Sequence, residues 1–431
     1  MNINRNPWLW VPTLYFAEGL PYFIVNNISV IMFKNMGMPN GMLALYTSLL
    51  YLPWVIKPLW SPFVDIIRNK RWWIITMQVL MSAAMLSLPF LLPEGDGTQF
   101  TEMPMFYVTL ALFWVTAFAS ATHDIAADGF YMLALDPHRQ AEFVGIRSTF
   151  YRLSSLFGQG VLVAFAGALE ESGDVHRAWQ MTLLLAAGIF AVVTLYHTWS
   201  LPRPVSDRMS SSLTAKDILR DFGRTFVTFF QKKHVGIALA FMLLYRLPEA
   251  FLLKMMNPFL LDAQEAGGLG ISTGAVGVVY GTVGTVALTV GGILGGIAAS
   301  RWGLKNSLWP MAMSLTLPCL SFVFLATFQP QDMWLISACV ALDQFGYGFG
   351  FTAYMLYLMY FSEGEFKTAH YALCTAFMAL SMMLPGLVAG YVQEALGYTR
   401  FFGFVMVCCL VTVAVTFLLK VDPEYGKKQK D

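Results

Sequence analysis

Between Ala117 and Leu135 the chain reads AFASATHDIAADGFYMLAL, placing His123, Asp124 and Asp128 inside an apolar run long enough to cross a bilayer. On a helix Asp124 and Asp128 are i and i+4, so both carboxylates share one face, about 6 Å apart along the axis. An acid at mid-membrane costs roughly 2.5–3.5 kcal/mol on insertion scales, and such residues face a bundle interior or a wet path. Two carboxylates so placed can load and release a proton. The alternative is a structural salt bridge that neutralises them. A metal site fits poorly, because i, i+1 and i+5 spread the three side chains over more than one face.

Other charges lie in apolar segments: Glu18, Lys57, Arg152, Arg246, Glu249, Lys254 and Asp343. Arg246 and Glu249 are i and i+3 and can pair on their own helix. Lys254 can snorkel towards an interface. Asp65, at the end of its segment, is read as a partner of the basic loop that follows. The sequence therefore nominates Asp124 and Asp128 for proton coupling. For substrate it nominates Lys57, Glu18, His123, Asn26, Arg152, Arg246, Glu249, Asn257, Asp343 and Gln344, with the aromatics Tyr15, Tyr22, Trp114 and Tyr347 around them. No phosphate-binding loop, H-E-x-x-H or G-x-S-x-G is present, so no catalytic residue, metal or cofactor is expected.

These residues need a scaffold that holds charge in lipid. Of 431 residues, 57% are hydrophobic and only 12% charged, where a soluble domain has roughly 25% charged. Repeated apolar runs near 20 residues indicate an all-α integral membrane protein. Twelve spans are expected, at 8–33, 41–64, 73–92, 104–133, 143–169, 178–200, 234–262, 273–300, 307–328, 332–361, 368–395 and 400–420. The first is expected to be retained, since no short signal-peptide core precedes a cleavage site. All five cysteines fall in apolar segments, with no disulfide framework or zinc spacing. The net charge of +1 gives no sign of a nucleic-acid partner.

Charge also orients the chain. Arg68, Lys70 and Arg71 follow the second span, whereas the next connection carries Glu94, Asp96 and Glu102 and no base. With both termini in the cytoplasm, only Lys34, Arg177 and Arg400 fall in outer connections, as the positive-inside rule requires. The longest connection, Leu201–Lys233, carries seven Lys or Arg. In it Thr214-x-x-Asp217 resembles a capping box, and Ile218, Phe222 and Phe226 follow at i+4 spacing. A short amphipathic helix on the membrane surface is expected there. This divides the chain into an N-terminal six-helix bundle (1–200), a linker (201–233) and a C-terminal six-helix bundle with a basic tail (234–431).

The halves carry a faint repeat. Leu14-Tyr15 before Leu20-Pro21 answers Leu244-Tyr245 before Leu247-Pro248, and Tyr131-Met-Leu answers Tyr354-Met-Leu. Corresponding places in parallel repeats suggest that spans 1, 4, 7 and 10 line one cavity. Gly291-x-x-x-Gly295 and Gly292-x-x-x-Gly296 in span 8 allow close helix approach. Pro53, Pro58 and Pro62 should bend span 2.

Several pieces together resemble the major facilitator superfamily, and within it the AmpG-type muropeptide permeases and their relatives, the acetyl-CoA transporters. They are Phe16-Ala-Glu-Gly-Leu-Pro21, Lys57-Pro-Leu-Trp-Ser-Pro62, Ala119–Gly129 with its D-I-x-x-D at Asp124–Asp128, Tyr151-Arg-Leu153 and Leu244–Phe251. The resemblance implies a proton-coupled carrier in an inner membrane, importing N-acetylglucosaminyl-anhydromuramyl fragments for cell-wall recycling. A monomer is expected. His123 stands where the AmpG pattern has Gln, and Glu18 where it has Ser. The alternatives are a carrier of a sugar, amino sugar or other small nutrient, an integral-membrane enzyme using His123 and the two acids, and a receptor that binds without flux.

Overall fold

The computed structural model describes residues 5–95, 97–204, 207, 215–423 and 425; the side chain of Asp65 and the cap at Thr214-x-x-Asp217 lie outside the described residues. Every regular element among them is helical. Ten stretches are long and apolar enough to cross a membrane: α1 (Pro7–Asn35), α2 (Asn40–Leu59), α3 (Lys70–Phe90), α4 (Pro104–Ala134), α5 (Gly145–Glu170), α6 (Val175–Ser200), α7 (Val235–Leu261), the 56-residue run Thr273–Phe328, Ala369–Leu396 and Tyr398–Phe417. The long run holds two spans. Its backbone leaves helical geometry at Gly303 (φ 75°, ψ 165°), where a side chain would be strained, and this divides α8 (273–302) from α9 (304–328). The helix Met333–Ser362, α10, completes the set. Its Asp343-Gln344 pair, three glycines and several tyrosines lower its hydropathy below that of the other spans. With Ala369–Leu396 as α11 and Tyr398–Phe417 as α12, twelve transmembrane helices are present among the described residues.

Prolines shape the helices that carry charge. In α2 the helix breaks into Asn40–Leu49, Leu52–Ile56 and a tighter turn over Lys57–Leu59, and a separate helix, Ser61–Ile67, follows it. Pro53, Pro58 and Pro62 each lack an N–H and crowd the preceding turn, so no continuous ladder can form. In α7, Pro248 interrupts the helix at Tyr245–Arg246. The Tyr245 carbonyl is instead met by the Thr412 hydroxyl of α12 at 2.8 Å. Wider π turns cover Ile24–Ile28 in α1, Leu156–Leu162 in α5 and Gly277–Gly284 in α8. Such turns are rare and concentrate at functional sites.

Contacts group the chain into two units, Met1–Met38 with Ile56–Phe222, and Pro39–Val55 with Gly223–Asp431. The first part of α2 therefore packs with the C-terminal helices. Asn40 there donates to Asp262 (3.1 Å), Gln393 (2.7 Å) and the Tyr398 hydroxyl (2.9 Å). In the first unit, the start of α3 is capped twice. Asn69 accepts from the Trp72 N–H, and Asp207 of the linker accepts from the N–H groups of Lys70 (2.7 Å) and Arg71 (3.0 Å). Burial pushes the Asp207 carboxyl above the usual carboxylate range, against the pull of those N–H groups.

The linker helix, Ala215–Phe230, is strongly amphipathic and packs apolar side chains against the protein. Phe229 is fully buried among Phe361, Phe377 and His370, and Phe226 packs against the same core. Hydroxyl and carbonyl contacts from Thr228 and Thr225 to His370 fix the helix to α11.

Glycines let α8 and α10 meet backbone to backbone. A Cβ on Gly348 would lie 2.1 Å from the Leu288 carbonyl oxygen, and one on Gly291 would lie 2.2 Å from that of Phe345. Gly296 has open space instead. Gly348→Ala should therefore destabilise by about 1–3 kcal/mol, the usual range for overpacking. Gly296→Ala should be neutral or slightly stabilising, since Ala is the better helix former. Thermal unfolding of the purified variants checks the contrast, and equal midpoints would contradict it.

Candidate functional site

The Lys57–Leu59 turn projects Lys57 to Asp124, whose Oδ2 accepts from Nζ at 2.5 Å, with both side chains about one-fifth exposed (21% and 20%). One turn further along α4, Asp128 Oδ1 accepts from the Arg147 guanidinium at 2.6 Å and from the Tyr15 hydroxyl at 3.1 Å. Arg147 also lies over the rings of Tyr15 (4.4 Å) and Tyr131 (5.1 Å). The Asp128 side chain is 45% exposed, against 20% for Asp124. Glu18 lies one turn beyond Tyr15 on α1. It is buried, and its Oε2 has no hydrogen-bond partner among the described residues. Four helices thus bring three acids and two bases into one polar cluster.

Arg147 was not nominated from the sequence. It lies in the first turn of α5, inside the expected span 143–169. The nominated Arg152 is five residues on, about 140° around the helix, and is half-buried. An arginine on the same helix within a few residues of an expected site was the available signal. His123, expected beside substrate, faces elsewhere. Its ring is fully buried and its Nε2 meets Gln78 Nε2 at 2.9 Å. Gln78 Oε1 meets His197 Nδ1 at 3.0 Å, and His197 Nε2 meets the Thr13 hydroxyl at 2.9 Å. This chain ties α1, α3, α4 and α6 together. Asn26 is buried in the π turn of α1 and donates to the Tyr22 carbonyl at 3.1 Å; its Oδ1 has no partner among the described residues.

The remaining nominees lie in the second unit. Arg246 sits at the break in α7 and holds Glu249 by two bonds, 2.7 and 3.1 Å, with both side chains nearly inaccessible. It also donates to the Tyr347 hydroxyl at 2.9 Å and lies 4.7 Å from the centre of the Phe351 ring. Asp343 accepts from Gln344 Nε2 at 3.1 Å, and both are buried. Asn257 is buried further along α7, its Oδ1 without a partner among the described residues.

The sequence repeat has a chemical counterpart. In the first unit Tyr15 and Tyr131 meet edge to face at 5.8 Å beside the Arg147–Asp128 pair. In the second, Tyr245 and Tyr354 stack at 5.7 Å, with Tyr354 beside Arg246, which pairs with Glu249. Each unit therefore sets an arginine–carboxylate pair against tyrosines of its first and fourth helices. The family model described as Major Facilitator Superfamily matches residues 13–363. The chain belongs to the major facilitator superfamily. Among curated superfamily relatives, the anhydromuropeptide permease of Escherichia coli K12 is 27% identical, over 96% of this chain and 80% of its own length. A Rickettsia conorii transporter named AmpG 4 is 23% identical, over 94% of each chain. Among solved structures, the D-xylose–proton symporter superposes with TM-score 0.70 at 12% identity, over 97% of this chain and 98% of its own. The nucleoside transporter NupG superposes with TM-score 0.68 at 16% identity, over 95% and 98%. This chain is a multi-pass membrane transporter of a small molecule and not an enzyme.

Proposed function

We propose that this transporter is a proton-coupled importer of cell-wall muropeptides of the N-acetylglucosaminyl-anhydromuramyl type, working by alternating access in an inner membrane with both termini in the cytoplasm. The observation that carries the proton coupling is Asp128, a half-exposed intramembrane carboxylate held by Arg147 and Tyr15 and accompanied by Asp124 and Glu18. A proton arriving at Asp128 cancels the charge that holds Arg147, and its departure restores the pair. Coupling needs such a pair, whose strength changes with protonation. Glu18 offers a second station, since its protonation breaks no ion pair among the described residues. The similarity to the Escherichia coli anhydromuropeptide permease over nearly the whole chain supports the substrate class.

Uptake of labelled N-acetylglucosaminyl-1,6-anhydro-N-acetylmuramic acid into proteoliposomes tests the substrate. The disaccharide should enter saturably and be recovered unchanged. Saturable uptake of a simple sugar with none of the disaccharide would replace this substrate by a sugar. Binding without flux would make the protein a receptor.

Orientation is tested separately. The motive is the basic character of Leu201–Lys233 against the acidic loop Pro93–Glu102. A reporter fused in the first should read as cytoplasmic, and one in the second as external. The reverse pattern would overturn the assignment.

A further inference from the structure

Several charges of the spans are neutralised by a partner: Lys57 by Asp124, Arg147 by Asp128 and Arg246 by Glu249. Lys254 differs. It lies seven residues before the end of α7, about 10 Å along the axis, and is only 9% exposed, so it does not snorkel to an interface. Its Nζ has no hydrogen-bond partner among the described residues, and its nearest ring, Tyr51, is 5.9 Å away. Two further buried atoms without partners stand by it. The Ser48 hydroxyl of α2 converges on the same point: a Cβ on Gly386 of α11 would lie 2.4 Å from Ser48 Oγ and 3.8 Å from Lys254 Cε. Asn257 Oδ1 lies one turn further along α7, on the same side of the helix.

A buried ammonium, hydroxyl and amide oxygen left without partners are costly to keep, and each such group in a folded protein calls for an explanation. Glu249, the carboxylate closest in sequence, is already committed to Arg246. We propose that Lys254, Ser48 and Asn257 form a recognition subsite for a singly charged carboxylate on the transported molecule. Lys254 and Ser48 donate to the carboxylate oxygens, and Asn257 Oδ1 accepts from a neighbouring hydroxyl or amide N–H of the same molecule. One cation suits one negative charge; a phosphate dianion calls for the denser donor set that arginines supply. The assignment rests on the muropeptide reading only for the choice of probe.

The test compares the labelled disaccharide with its methyl ester, which keeps the shape and removes the charge. In counterflow exchange the parent carrier should favour the acid by about tenfold or more, the range of one charge-assisted hydrogen bond. Lys254→Gln should erase that preference, and Lys254→Arg should retain part of it. An unchanged preference in Lys254→Gln would overturn the subsite. If the parent carrier exchanges neither probe, the muropeptide reading fails alone. The subsite is then judged by thermal stabilisation of the purified carrier with N-acetylmuramate and with its methyl ester. Stabilisation by the acid that disappears in Lys254→Gln upholds it; equal response to both compounds, or none, overturns it. Should Lys254→Gln and Lys254→Met both fail to fold, the lysine is a structural element and the subsite is overturned.

Discussion

Asp128→Asn is expected to abolish proton-driven accumulation while leaving exchange of substrate at equal pH. Asparagine keeps the size of the side chain and an oxygen that accepts from the Tyr15 hydroxyl, 3.1 Å away in the parent. It removes the ionisation that makes the 2.6 Å contact with Arg147 respond to pH. Symport of one proton with a singly charged anion moves no net charge, so an imposed gradient of one pH unit supplies about 1.4 kcal/mol, enough for an accumulation of about tenfold. That ratio should fall to about one in the variant. Asp124→Asn is the comparison, since Asp124 is more enclosed and held by Lys57. Accumulation that survives in both single variants, measured in vesicles with an imposed proton gradient, would move the coupling role to Glu18, Glu249 or Asp343.

The second large effect concerns stability. Lys57→Met is expected to destabilise the carrier, because it leaves the Asp124 carboxylate without its 2.5 Å partner. Breaking a fully buried pair costs about 3–5 kcal/mol, and the one-fifth exposure of both side chains reduces this to about 2–4 kcal/mol. The double variant Lys57→Met with Asp124→Asn should recover most of the loss, since removing both partners leaves no orphan charge. The measurement is thermal unfolding in detergent across the four-member cycle. A single Lys57→Met variant as stable as the parent would show that water already screens this pair.

How far the sequence reached depended on the range of the interaction. Spans of about 20 apolar residues, the i, i+4 relation of Asp124 and Asp128, and the i, i+3 relation of Arg246 and Glu249 are local, and each was legible. The Lys57–Asp124 pair joins residues 67 apart. The Arg147–Asp128 pair joins two helices, and nothing local to either residue announces the contact. His123 illustrates the same limit. Beside Asp124 in sequence, it points about 100° away on the helix and spends its hydrogen bond on Gln78. The linker helix showed its periodicity, but nothing local revealed that Phe229 would be buried against α10 and α11.

The most direct measurement is substrate-induced proton movement. Purified carrier in proteoliposomes, with no imposed gradient and a pH-sensitive dye inside, is given the anhydromuramyl disaccharide from outside. Internal acidification should follow its addition in the parent carrier and be absent in Asp128→Asn. Uptake of the labelled disaccharide with no acidification in the parent carrier would contradict proton coupling.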